Sequence, residues 1–274
     1  MIKIKFNNFE VSNDNPFVLI VGPCVIENEL HSMNMAEKIS KICQSKKINY
    51  IYKSSFDKAN RSSIKSERGV NLDDAIKIFA KIKSNFDCPI LTDVHNETHC
   101  KILSEVDCVD ILQIPAFLCR QTDLLIAAGN SKKIVNVKKG QFLSPLDIPN
   151  IYSKIESSEN YNIMITERGT SFGYNNLVSD FRSLDIMKKY KYPVIFDATH
   201  SVQEPGGLGN KSGGKREFVP TLAKASVAVG IAGIFIETHQ DPDNAPSDGP
   251  NMLHIKDLEN LIGKLIKLDQ IVKK

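Results

Sequence analysis

Phe17-Val18-Leu19-Ile20-Val21-Gly22-Pro23-Cys24 is a short apolar run that stops abruptly at a glycine, a proline and a thiol. A run this brief and this rich in Ile and Val reads as a strand buried on both faces of a parallel sheet. The residues at its end separate the two folds built from such strands. A doubly wound open sheet needs a phosphate loop of the GxGxxG or GxxxxGK(S/T) kind after its first strand, and Gly22-Pro23-Cys24 is neither. The closed alternative, a (β/α)8 TIM barrel of the α/β class, needs the same boundary eight times with its reactive groups at the strand ends.

Seven further runs end in the same manner. They stop at Lys53-Ser54-Ser55, Thr92-Asp93-Val94-His95, Gln113-Ile114-Pro115, Asn136-Val137-Lys138-Lys139, Thr166-Glu167-Arg168-Gly169, Asp197-Ala198-Thr199-His200 and Glu237-Thr238-His239. The strands are expected at 17–21, 49–53, 89–93, 109–113, 133–138, 161–166, 193–197 and 232–237. Helical periodicity is clearest over 29–46, 72–85, 119–129, 177–190, 217–230 and 255–272, and weaker over 97–105 and 147–157. Residues 1–15 carry alternating Ile/Phe and Lys/Asn with a turn at Asn7-Asn8, the pattern of a β-hairpin that could plug one end of the barrel. No linker or low-complexity stretch divides the 274 residues, so a single barrel domain over 1–274 is expected.

Composition narrows the class of function. The formal charge is +3 with 24% charged residues, and no dense basic tract carries interleaved aromatics, which argues against a nucleic-acid partner. The longest apolar runs are far too short to span a bilayer, and the N-terminus does not resemble a signal peptide, so no membrane partner and a cytoplasmic location are expected. The six cysteines lack zinc-ribbon or CxxC spacing and read as reduced.

Cys24, His200, Glu237 and Asp248 follow strands one, seven and eight, which become neighbours when a barrel closes. Thiolate, imidazole and two carboxylates suit Zn²⁺, Fe²⁺ or Mn²⁺ better than Mg²⁺ or Ca²⁺. Each residue alone has a plainer reading: a small buried hydrophobe, a loop histidine, half of an ion pair and a turn former. Their joint placement favours a divalent metal ion. Lys53, Lys58, Arg61, Lys138 and Arg168 also lie at or just beyond strand ends. Cations converging on one cleft call for anions, with Arg as a bidentate donor and Lys as a point charge. His31 and His254 read as surface residues near helix starts, and His99 as ordinary helix surface despite its i, i+4 spacing from His95. His95 shares a strand face with Asp93, and His239 shares the face of Glu237, where it could support the ligands from behind.

With those residues in view, the sequence resembles the 3-deoxy-D-manno-octulosonate 8-phosphate synthase family. The likeness runs from Gly22-Pro23-Cys24 to Ser247-Asp248-Gly249. It is most specific over Lys53 to Ser63, Gln113 to Asp123, Asn136 to Phe142 and Asp197 to Gln203. It implies condensation of phosphoenolpyruvate with arabinose 5-phosphate on the way to the lipopolysaccharide inner core, and a homotetramer. Cys at position 24 and the Gln203-Glu204-Pro205-Gly206-Gly207-Leu208-Gly209 loop match the metal-dependent branch, with Cys24, His200, Glu237 and Asp248 as ligands. By the same likeness, Lys138 and Arg168 hold the phosphoenolpyruvate phosphate, and Lys53 and Lys58 lie near its carboxylate with Gln113 close by. Asn60, Arg61 and Ser62 take the sugar phosphate, Ser55, Phe117 and Gln203 complete the binding set, and Arg120 comes from a neighbouring subunit. Lys53, Lys58, Asp93, Lys138 and His200 are the expected catalytic groups. Three alternatives remain open at this level: a synthase using erythrose 4-phosphate or a sialic acid synthase, a Schiff-base aldolase with Lys53 or Lys138 as nucleophile, and a non-catalytic phosphosugar-binding barrel.

Overall fold

The computed structural model of the chain describes residues 1–60, 67–205 and 213–273. Its eight long strands are β1 (Val18–Gly22), β2 (Tyr50–Lys53), β3 (Ile90–Asp93), β4 (Ile111–Ile114), β5 (Ile134–Lys138), β6 (Ile163–Glu167), β7 (Val194–Asp197) and β8 (Gly233–His239). Each pairs in parallel with the next, and β8 pairs with both β7 and β1, which closes the ring. The helices that follow them are α1 (Glu29–Lys46), α2 (Leu72–Phe86), α3 (Glu97–Ser104), α4 (Thr122–Asn130), α5 (Ile148–Glu156), α6 (Arg182–Lys188), α7 (Val219–Ala228) and α8 (Ile255–Val272). This is a (β/α)8 barrel.

Alternation along each strand divides the interior into layers, because successive side chains point to opposite faces. Toward the strand starts, Val18, Ile20, Ile51, Leu91, Ile111, Met164 and Ile195 form one apolar cluster with Ile4 and Val11. The latter two come from the N-terminal hairpin, in which Ile4–Lys5 pairs with Glu10–Val11 around Asn7-Asn8. The hairpin therefore stoppers the end of the barrel where the strands begin. Toward the strand ends the interior turns polar, with Lys53, Asp93, Gln113, Asn136, Lys138, Thr166, Arg168, Asp197 and Glu237 all buried.

Three helices open with the same device. Asn28, Asn71 and Asn96 each accept the backbone N–H three residues on, occupying one of the donors a helix start leaves bare. Two expected helices begin three or more residues later than their periodicity suggested. Leu177–Val178 pairs antiparallel with Thr170–Ser171, so the helix expected from 177 starts at Arg182. Ahead of α4, Ala116–Leu118 takes a 3-10 turn and the helix starts at Thr122 rather than 119.

Candidate active site

Register builds the polar layer. Asp93 is paired with Gln113 and Gln113 with Asn136, so three polar side chains from adjacent strands stand side by side on the inner face. Glu237 lies opposite Gly22 across the β8–β1 seam. A Cβ at Gly22 would lie 1.8 Å from the Lys53 carbonyl oxygen, so only glycine permits this approach of β1 to β2.

The four expected metal ligands converge. The Cys24 Sγ lies 3.1 Å from Asp248 Oδ2, and His200 Nε2 is 3.7 Å from both Glu237 Oε2 and Asp248 Oδ2. Ligand atoms of Cys24, Glu237 and Asp248 all fall within 4.8 Å of one another. Glu237 divides its labour: Oε1 accepts from Lys53 Nζ at 2.7 Å, while Oε2 is buried with no hydrogen-bond partner. An orphaned carboxylate oxygen turned toward a thiol, an imidazole and a second carboxylate is what a cation would satisfy. The Cys24 thiol is pushed well up, first by burial and then by the Glu237 carboxylate, so its deprotonation calls for a local positive charge. Asp248 reaches the cluster from a left-handed backbone conformation, φ 51°, which Asp tolerates better than most residues.

Asp197, at the end of β7, organises the rest. Its Oδ1 accepts the backbone N–H groups of Thr199 and His200 at 3.1 and 2.8 Å, and its Oδ2 faces His200 Nδ1 at 2.7 Å. A carboxylate at Nδ1 puts the proton there and leaves Nε2 as the lone pair aimed at the ligand cluster. Burial works against the charged form of this ring, yet the Asp197 and Glu237 carboxylates raise its pKa overall. The same Asp197 Oδ2 accepts from Lys138 Nζ, which sits 3.2 Å from the centroid of the Phe235 ring.

The expected cations lie beside this cluster, though not all are free. Lys53 Nζ donates to Glu237, to the Cys24 carbonyl at 3.0 Å and to Ser55 Oγ at 3.1 Å, so its three donors are engaged. Lys58 Nζ stands 3.8 Å from Glu237 Oε1. Arg168 donates through Nη2 to Gln203 Oε1 at 2.8 Å, and Gln203 Nε2 donates to Asp248 Oδ1 at 3.2 Å. Its Nη1 is buried without a partner, an arrangement suited to an anion. Asp93 accepts from Ser55 Oγ and from Gln113 Nε2, and burial that would raise its pKa is outweighed by Lys53 and Lys58, which hold it below the usual carboxylate range.

Other expected residues are elsewhere. Phe117 and Arg120 are exposed in and after the Ala116–Leu118 turn and, among the described residues, make no hydrogen bond or ion pair to the cluster. Asn60 is exposed, and Arg61 and Ser62 lie outside the described residues, as does the 206–209 part of the glycine-rich loop. His239 does not support Glu237 from behind. Its Nε2 meets Glu27 Oε1 at 2.8 Å and its Nδ1 accepts from the Asp241 N–H at 3.0 Å. His31 is not on the surface, since its side chain is 9% exposed and its Nε2 lies 3.0 Å from Gln240 Oε1. His99 is half-buried, capped by Asn96 and packed edge-on against Phe56, and His95 meets the same ring at a tilt. Sequence reasoning assigned no part to Asp197, Asn136 or Thr166. Their position at strand ends was the available signal.

The whole chain, residues 1–274, matches the model of the DAHP synthetase I family. A 2-dehydro-3-deoxyphosphooctonate aldolase of Rickettsia conorii is 58% identical over 270 residues, which cover 98% of either chain. Its namesakes from Bartonella tribocorum and Bartonella henselae are 57% and 56% identical over 272 and 271 residues, each alignment covering 99% of this chain and 97% and 96% of the relative.

Proposed function

Since the chain belongs to the DAHP synthetase I family, we propose on that footing that it condenses phosphoenolpyruvate with D-arabinose 5-phosphate and water, giving 3-deoxy-D-manno-octulosonate 8-phosphate and phosphate. The protein is an enzyme of the 2-dehydro-3-deoxyphosphooctonate aldolase type, and near 57% identity over the whole length favours this reaction over the erythrose 4-phosphate alternative. The observation that carries the reading is the meeting, at one rim of one barrel, of a mixed thiol, imidazole and carboxylate cluster with an unpartnered buried Arg168 Nη1 and a buried Lys138.

In the reaction C3 of phosphoenolpyruvate bonds to the aldehyde carbon, the aldehyde oxygen takes a proton, water adds its oxygen at C2, and phosphate leaves by C–O cleavage. The protein must hold two anions face to face and stabilise the charge that develops between them. Lys138 and Arg168 hold the phosphate of phosphoenolpyruvate. Lys58 and the Gln113 amide meet its carboxylate, while Lys53 spends its donors fixing Glu237 and Ser55. Asp93, ionised and oriented by Ser55 and Gln113, is the nearby group able to accept a proton. Asn60, Arg61 and Ser62 take the sugar phosphate.

Cys24, His200, Glu237 and Asp248 would hold a divalent ion, Zn²⁺, Fe²⁺ or Mn²⁺, which supplies Lewis acidity to an oxygen at this rim. We assign the chain on that basis to the metal-dependent branch. A homotetramer agrees with the exposure of Phe117 and Arg120, which are free to reach a neighbouring subunit's rim. Six unpaired cysteines suit a reducing, cytoplasmic compartment, and the product belongs to lipopolysaccharide biosynthesis. None of the described helices is long and apolar enough to cross a membrane.

Phosphate release with a panel of aldoses tests the reading. The expected result is rapid release with arabinose 5-phosphate and little with erythrose 4-phosphate. The reverse preference, or borohydride trapping of a lysine adduct, would overturn it.

A further inference from the structure

A hydrogen-bonded chain crosses four strands of the barrel. Thr166 Oγ1 donates to Asn136 Oδ1 at 2.7 Å, Asn136 Nδ2 donates to Gln113 Oε1 at 3.0 Å, and Gln113 Nε2 donates to Asp93 Oδ1 at 2.5 Å. All four residues are buried. The two ends of an amide have nearly the same shape, so packing cannot choose which one points where, and the hydrogen-bond network must choose.

Here the choice begins at Asp93. An ionised carboxylate only accepts, and Lys53 and Lys58 keep this one ionised. Gln113 must therefore turn its Nε2 toward Asp93, which sends Oε1 to the other side. There Asn136 meets it with Nδ2, and Thr166 in turn occupies the Asn136 oxygen. If Asn136 or Thr166 withdrew, a buried oxygen would be left unpaired and the Gln113 amide would lose what pins its carbonyl away from the cleft. A bare carbonyl oxygen facing a bound anion is repulsive, whereas the remaining Nε2 hydrogen is attractive.

We infer that Asn136 and Thr166 are positioning residues that hold the Gln113 amide in the polarity Asp93 selects, so that it offers N–H and no free oxygen to the carboxylate of phosphoenolpyruvate. The inference deepens the proposed function and rests on it. Neither residue touches the anion. They act through Gln113, and their effect belongs to one substrate rather than to the fold.

The test measures the Kd of phosphoenolpyruvate and, separately, of arabinose 5-phosphate by calorimetry, for wild type, Asn136→Leu, Thr166→Val and Thr166→Ser. Asn136→Leu is expected to weaken phosphoenolpyruvate about tenfold, the scale of one lost or misdirected hydrogen bond to a charged group, and to leave arabinose 5-phosphate unchanged. Thr166→Val, which keeps the side-chain shape, should weaken it by about threefold, and Thr166→Ser should bind like wild type. In a Gln113→Leu background Thr166→Val should add nothing, because the residue through which it acts has gone. Unchanged phosphoenolpyruvate affinity in Thr166→Val overturns the inference. So does equal weakening of both substrates, or an additive effect on top of Gln113→Leu. If Asn136→Leu does not fold, the valine and serine variants decide. A wild type that binds no phosphoenolpyruvate would instead strike at the proposed function, which keeps the two failures apart.

Discussion

Lys138 is an ammonium group in an enclosure that would ordinarily reject one. Burial pulls its pKa down to about 8, although Asp197 opposes the shift from β7 and Glu237 from β8, with Lys53 adding to it from β2. On the proposed function, the charged form is the one that would hold the phosphate of phosphoenolpyruvate. Because the pKa lies below its ordinary value, that charge is present in neutral solution and is lost as pH rises through about 8, well before exposed lysines titrate. The KM for phosphoenolpyruvate should therefore be flat from pH 7 to 7.5 and rise above pH ~8, with arabinose 5-phosphate affinity following less steeply; a KM flat to pH 10 would contradict this. The same residue marks the boundary of what could be read from sequence. Its place at a strand end beside Asn136 was legible from the two-residue period, but its pairing with Asp197 and its contact with Phe235 were not. Both depend on which strands face one another across the lumen, which period alone does not encode. Lys53 is similar: its burial was foreseeable, its engagement with Glu237 was not.

At the scale of elements, the eight barrel strands were legible because each Ile/Val run ends in a polar break, and α1 and α8 matched their periodicity from end to end. The misjudged helix start at 177 has a local cause: Leu177 and Val178 are apolar at helical spacing, yet they serve a small antiparallel pair. Helix starts are fixed by caps, and α1 carries the clearest one, with Asn28 Oδ1 accepting from His31 N at 2.8 Å. Asn28→Ala should cost about 1 kcal/mol of unfolding free energy. Urea unfolding would check it, and a loss under a few tenths would mean that solvent replaces the cap. Asn28 is bonded to His31 and Ser32 and, among the described residues, to none of the ligand cluster, so the same substitution should leave steady-state turnover at saturating substrate nearly unchanged.

Across the molecule, the two ends of the barrel have opposite tasks. One is sealed by the hairpin, whose Ile4 and Val11 are fully covered among the strand starts, and the other is open and ionisable. Deleting residues 1–11 uncovers that apolar layer. It should lower stability by about 3 kcal/mol or more, with binding of a hydrophobic dye as the companion signal. An unshifted melting curve would show that the hairpin contributes little. The gathering of Cys24, His200, Glu237 and Asp248 from distant parts of the chain was legible only because the strand count implied closure, and closure sets β1, β7 and β8 side by side.

On the proposed reading, the condensation at the open rim needs a divalent ion held by this gathered set. Phosphate release from phosphoenolpyruvate and arabinose 5-phosphate, followed after exhaustive chelation and again after adding back Mn²⁺ or Zn²⁺, is the decisive measurement. Turnover should be lost on chelation and recover on re-addition, with neither change in Cys24→Ala. Full turnover in an enzyme whose metal content has been measured as nil would show that no ion takes part.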